Sequence, residues 1–158
     1  SLHLSIKPIT SLTNQEIADV LAQTASLMEL HDENSFKVRS IQNAGFQIEK
    51  IEIPLASLSL AELEKQEGIG KSIAAKITEL SLTGKLAELE ALLQKTPEGV
   101  IELLQIKGIG PKKVKSLWKE LEITTKEELL EACHNNTVAN LKGFGEKTQD
   151  NIIQVLQL

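Results

Sequence analysis

The sequence predicts an all-α fold, a small helical domain followed by repeated helix pairs joined by glycine turns. Apolar residues recur at helical spacing along most of the chain, and capping signals stand in front of several of these runs. A Gly-apolar-Gly turn also occurs three times, each time directly before an amphipathic segment.

Residues 1 to 12 alternate Leu2, Leu4 and Ile6 before Pro8, a pattern too brief to assign beyond an extension. Thr13 with Glu16 forms a capping box, and Ile17, Val20, Leu21, Thr24, Leu27 and Met28 predict a helix from about 14 to 30. The polar stretch HDENS ends it. Asn34 or Ser35 caps a second helix, carried by Phe36, Val38, Ile41 and Ala44 toward Gly45. After Pro54, Ser57 or Ser59 starts a short helix through Leu60 and Leu63. Gly68-Ile69-Gly70 then opens KSIAAKITELSL, Gly108-Ile109-Gly110 opens PKKVKSLWKEL, and Gly143-Phe144-Gly145 opens EKTQDNIIQVLQL. The turns are spaced by about 40 and 35 residues, a supersecondary unit used three times. The intervening segments GKLAELEALLQ, PEGVIELLQ and TTKEELLEAC read as helices, the last with a capping box from Thr125 and Glu128. No sheet is expected.

With 158 residues, 41% apolar and 25% charged, the chain has material for one core or two small ones. Its one cysteine, Cys133, excludes an internal disulfide, and no Cys/His cluster has zinc spacing, so a reducing compartment, the cytoplasm, is expected. Apolar stretches are broken by charge, so no membrane span or secretion signal is expected. The chain starts at Ser1 and ends in an uncapped apolar run, consistent with a piece of a longer protein.

Glycines on both sides of one apolar residue permit φ > 0 and let another chain approach without a Cβ in the way. Ile69, Ile109 or Phe144 can then turn inward, while the amides of the following helical turn form a positive cradle for a phosphate oxygen. Such contacts position a duplex without reading sequence. The net charge of −5 argues against nucleic acid in general, but it is unevenly distributed. From Gln105 to Lys119 there are five lysines (Lys107, Lys112, Lys113, Lys115, Lys119) and no acid. The segment from Lys65 to Lys76 is +2, and around the third turn Lys142 and Lys147 are cancelled by Glu146 and Asp150. The second turn is therefore expected to bind most strongly, and the third to be partly structural.

These turns resemble the helix-hairpin-helix family, and Lys107 to Lys113 is the closest match. From about Thr13 onward the order of elements resembles the N-terminal region of bacterial family X DNA polymerases, the polymerase beta group. The strings ENSFKVRS, GIGKSIAAKITEL with TGKL, KGIGPKKVKSLWKELEI and KGFGEKTQDNI carry the likeness. The resemblance implies a lyase-type domain with the first hairpin over 13 to 94 and a fingers-type domain with the second and third over 95 to 158. It implies binding to gapped or nicked DNA in base-excision repair, as part of a longer chain whose palm and metal-binding aspartates would lie beyond Leu158. The DNA-binding positions it suggests are Lys37, Arg39, Gly68, Gly70, Lys71, Ser72, Gly108, Gly110, Lys112, Lys113, Lys115, Gly143, Gly145 and Lys147. Lys76 matches a lysine that attacks C1′ of a 5′-deoxyribose phosphate as a Schiff-base nucleophile, with Lys71, Lys37 and Arg39 around it. Three departures weaken that chemistry: Ile41 stands for a tyrosine, and Ser72 and Glu88 each stand for a lysine. The family's hairpins also suggest Na⁺ or K⁺ on the backbone carbonyls of Leu104, Ile106 and Ile109; no other cofactor is expected.

Trp118 is expected in the core with Val114, Leu117 and Leu121. With three phenylalanines, one tryptophan and no tyrosine, stacking on single strands is not expected. His3, His31 and His134 have no partners at ligand spacing, and Cys133 is expected as a small buried hydrophobe. A helical adaptor docking protein through the hairpin surfaces is the alternative reading.

Overall fold

The computed structural model describes residues 12 to 157, and the expected extension lies almost wholly outside them. Among the described residues the regular structure is helical, with no strand. The chain divides into two compact units: residues up to Met28 together with Glu33–Leu92, and Glu29–Asp32 together with Leu93–Leu158.

In the first unit, α1 (Asn14–Leu30) buries Ile17, Leu21, Ala25 and Met28, the period-3.6 stripe seen in the sequence. Its Thr13 and Glu16 exchange hydrogen bonds as a complete capping box. α2 (Ser35–Glu49) starts at Asn34, whose side chain accepts from the Phe36 and Lys37 amides, and it runs one turn past Gly45 because Ile48 is needed in the core. Asn14 reaches across to the 51 to 55 segment: it donates to the carbonyls of Ile51 and Ile53 and accepts the Leu55 amide. A 3-10 turn (Leu55–Ser57) and α3 (Leu60–Glu64), boxed by Ser59 and Glu62, both pack on α4 (Lys71–Thr83). α4 ends on Gly84 in the left-handed region, and the Glu79 carboxylate accepts the first amide of α5 (Ala87–Gln94).

The second unit holds α6 (Glu98–Leu103), α7 (Pro111–Leu121), α8 (Lys126–His134) and α9 (Gly145–Leu156). α6 packs on α7 and α8, and α8 packs on α9, around Val100, Leu103, Val114, Leu117, Leu129, Val138 and Ile152. Gly99 permits the α6 crossing: a Cβ there would stand 1.7 Å from the Thr124 carbonyl oxygen. Cys133 is buried, and desolvation pushes its thiol up to about 11, so it behaves as a hydrophobe.

Two expectations about the core change. Trp118 is only half-buried: its edge meets the His31 ring (centroids 5.8 Å apart), Lys119 lies 3.7 Å from its ring centroid, and His31 itself pairs with Thr96 at 2.8 Å. An indole fits such a boundary position because its body is apolar and its quadrupole attracts a cation. Phe36, read as part of the apolar face of α2, points to solvent instead, 76% exposed. No described helix is long and apolar enough to cross a membrane.

Candidate nucleic-acid interface

All three turns drive their apolar residue inward, leaving Ile69, Ile109 and Phe144 buried while the flanking glycines are exposed. The first two turns share one backbone conformation. Gly68 and Gly108 take φ of +84° and +99°, and each is backed by a side chain: a Cβ would meet Gln47 at 2.6 Å in one and Asn151 at 2.8 Å in the other. Gly70 and Gly110 are extended, with φ of −90° and −103°, and a Cβ on either would meet nothing. Nothing within 4 Å of the second glycine requires it, and without a Cβ the surface there is open to close approach.

The helix ends that follow are also left open. Asn34, Ser59 and Thr125 close their helices with side-chain oxygens, whereas Gly70 and Gly110 supply none to α4 and α7. First-turn amides without a side-chain acceptor, at the positive end of a helix dipole, suit a phosphate oxygen. Pro111 at the first position of α7 removes a donor that had no helical partner.

The third turn departs from this geometry. Both Gly143 (+87°) and Gly145 (+76°) are left-handed, and Phe144 is the residue before α9. Buried Gln149 anchors the helix, accepting the Ala139 amide at 2.8 Å and donating to Asn136 Oδ1 at 2.9 Å. Lys142 and Lys147 are exposed.

The lysines of the second hairpin are less available than their count suggests. Lys107 and Lys112 are exposed, but Lys113 lies 5.6 Å from the Phe144 ring centroid, Lys115 is paired with Asp32, and Lys119 covers Trp118. The carbonyl of Ile106 accepts the Ile109 amide at 3.4 Å, which leaves a lone pair for a cation; Leu104 is the residue closing α6.

In the first unit Lys71 and Ser72 are exposed at the start of α4, and Arg39 is exposed on α2. Lys76 is not open: its side chain is 14% exposed and its Nζ stands 3.0 Å from Glu88 Oε1. Lys37 Nζ donates to the other carboxylate oxygen at 2.6 Å. Burial opposes ionisation of Glu88, but the hydrogen bonds and charges of Lys37 and Lys76 outweigh it and hold the carboxyl below its usual range. The same bond from Glu88 raises Lys37, with a smaller contribution from Glu33. Ile41 is buried.

One arrangement had no signal in the sequence reading. Phe36 and Phe46, the latter 63% exposed, flank an open pocket with Arg39, Ser40, Asn43 and Gln47 from α2, and it reaches Gly68 of the first turn. Two solvent-facing rings ten residues apart on an amphipathic helix are detectable only once the buried face of α2 is known.

Two family models match the chain, a helix-hairpin-helix domain over residues 12–86 and a SAM-like helix-hairpin-helix tandem over residues 100–157. The chain is also 36% identical over 142 residues to the DNA polymerase/3′-5′ exonuclease PolX of Bacillus subtilis (strain 168), an alignment covering 90% of this chain. It spans 25% of that protein's length.

Proposed function

We propose, for a chain that belongs to the helix-hairpin-helix family and resembles the N-terminal part of a family X DNA polymerase, that it holds gapped or nicked DNA by the phosphate backbone within a larger repair polymerase. The observation that carries this reading is the open second glycine, Gly70 or Gly110, in front of a helix with no side-chain cap. The first two turns are the clamps, and Lys71, Lys107 and Lys112 supply exposed charge beside them. Against the expectation that stacking plays no part, the pocket of Phe36, Phe46 and Arg39 supports a preference for interrupted DNA, because its exposed rings and guanidinium offer stacking to a base that a gap leaves unpaired.

Binding to a one-nucleotide-gapped duplex, a nicked duplex and a continuous duplex over a salt series tests the proposal. Gapped and nicked DNA should bind more tightly than continuous duplex, and affinity should fall steeply with salt as counterions are released. Equal, salt-insensitive binding to all three would favour the adaptor alternative. A Na⁺ or K⁺ ion on the carbonyls of Leu104, Ile106 and Ile109 is a further part of the proposal, and exchanging K⁺ for tetramethylammonium at constant ionic strength should weaken binding.

Lyase chemistry at Lys76 belongs to the same reading as a conditional activity. Attack on C1′ needs an uncharged, accessible amine, and Glu88 places a negative charge beside it. Borohydride trapping on a 5′-deoxyribose phosphate substrate should give little adduct with the wild type, and any adduct should vanish in Lys76→Ala.

A further inference from the structure

Asn151 Nδ2 stands 2.8 Å from the position that a Cβ on Gly108 would occupy, so a side-chain carboxamide of α9 borders the first glycine of the second clamp. Lys147, Asn151 and Gln154 follow one another at single-turn spacing along α9 and line an open pocket with Gly108. All three side chains are exposed. Among the described residues neither of these two carboxamides hydrogen-bonds to the protein, in contrast to Gln149 on the same helix, whose oxygen and nitrogen are both engaged. Asp150 lies in the same pocket and offsets Lys147, so no net positive charge is left there to hold another phosphate. What remains is a pair of neutral amides, each able to donate and to accept, which suits a neutral polar edge. The same backing recurs at the first clamp, where Gln47 stands 2.6 Å from the Cβ position of Gly68. It is missing at the third turn, where nothing lies within 4 Å of Gly143 or Gly145. A carboxamide therefore accompanies the two turns with the clamp geometry and not the one that departs from it.

We propose that Asn151 and Gln154 contact the minor-groove edges of the base pairs beside the strand held by the second hairpin. Purine N3 and pyrimidine O2 are acceptors on that edge, so an amide N–H finds a partner whatever the sequence. The minor groove is about 6 Å wide against about 12 Å for the major, so short side chains next to a turn on its wall reach the edges without inserting a helix. Phosphate contacts position a strand but carry no information about its bases. A contact on the groove floor needs a paired strand, and it makes the second hairpin favour duplex over single-stranded DNA. This contact presupposes the backbone clamp and adds to it the part of the duplex that α9 touches.

Binding is measured to one-nucleotide-gapped duplexes whose purines are either normal or 3-deaza analogues, in which a C–H replaces N3 and the minor-groove acceptor is lost while pairing is kept. The wild type is compared with Asn151→Ala combined with Gln154→Ala. The analogue should cost the wild type roughly fivefold in affinity, the scale of one neutral hydrogen bond, and should cost the double variant nothing further. On normal DNA the double variant should bind roughly fivefold more weakly than the wild type with an unchanged salt slope, because a neutral contact releases no counterions. A wild type indifferent to the analogue overturns the proposal without use of any variant, and it leaves the backbone clamp standing where binding stays salt-sensitive. Equal analogue losses in wild type and variant overturn it as well, reducing Asn151 to a support for the Gly108 turn. Absence of binding to either duplex sinks the clamp function itself, and the groove contact with it.

Discussion

The second and third hairpins lie in the same unit and share the Gly-apolar-Gly string, yet they differ in backbone geometry. At Gly108 the left-handed φ is enforced and backed by Asn151, while Gly110 is conformationally ordinary and faces open space. At the third turn both glycines are left-handed, so both are needed by the chain itself, and buried Gln149 ties α9 back to residues 136 and 139. A glycine that the backbone does not require leaves a surface open to close approach; one that it does require marks a turn.

Glycine substitutions should separate the two turns most strongly. Gly108→Ala should cost about 1 to 2 kcal/mol in urea unfolding, chiefly from left-handed strain, since the Asn151 amide it approaches is the movable end of an exposed side chain. Gly145→Ala should cost about 1 kcal/mol from strain alone, and a neutral result would remove the distinction between the turns. Lys112→Ala with Lys113→Ala should weaken gapped-DNA binding roughly tenfold, with a shallower salt slope. Lys142→Ala with Lys147→Ala should change it less than about twofold, the scale of one screened surface charge; equal losses would make the hairpins equivalent. Gly110→Ala should leave stability within about 0.5 kcal/mol yet loosen DNA several-fold, on the order of one hindered phosphate contact.

A smaller effect depends on pH. Glu88 has a folded value below its unfolded 4.5, so its contribution to stability is present above pH 4.5 and is lost as pH falls through the lower folded value. Glu16, Glu62 and Glu128 are lowered by their helix-capping hydrogen bonds and fail over the same window. Urea midpoints between pH 5 and pH 3 should therefore decline less steeply in Glu88→Gln than in the wild type.

The helices were legible because each depends on local information. The capping box at Thr13 and the apolar stripes of α1 and α7 are written within a few residues; of the box expected at Thr125 only the cap forms, since the Glu128 carboxylate accepts the Thr124 amide instead, and the choice between Ser57 and Ser59 fell to Ser59. The inward turn of Ile69, Ile109 and Phe144 followed from the same local pattern. Charge availability did not, because it is decided by partners far along the chain. Lys115 meets Asp32 and Lys37 meets Glu88, 83 and 51 residues away, so a count of five lysines overstated what the second hairpin offers. The resemblance drew attention to Glu88 as a missing lysine, but it took the fold to show the carboxylate occupying the remaining cations. Similarly, the 3.6-residue period marked α2 as amphipathic without revealing that Phe36 and Phe46 fall on its wet side.

The side-chain oxygens missing in front of α4 and α7 have a thermodynamic consequence. Helices of this protein that carry their own side-chain acceptor satisfy those amides themselves, whereas α4 and α7, like α6 and α9, leave them to whatever anion or water the solution provides. The melting temperature should then be a property of the buffer as much as of the chain, rising with sulfate or phosphate at levels where chloride of equal ionic strength does nothing. The gain should be largest for oligonucleotides, because each bound phosphate supplies the acceptor that the sequence omits.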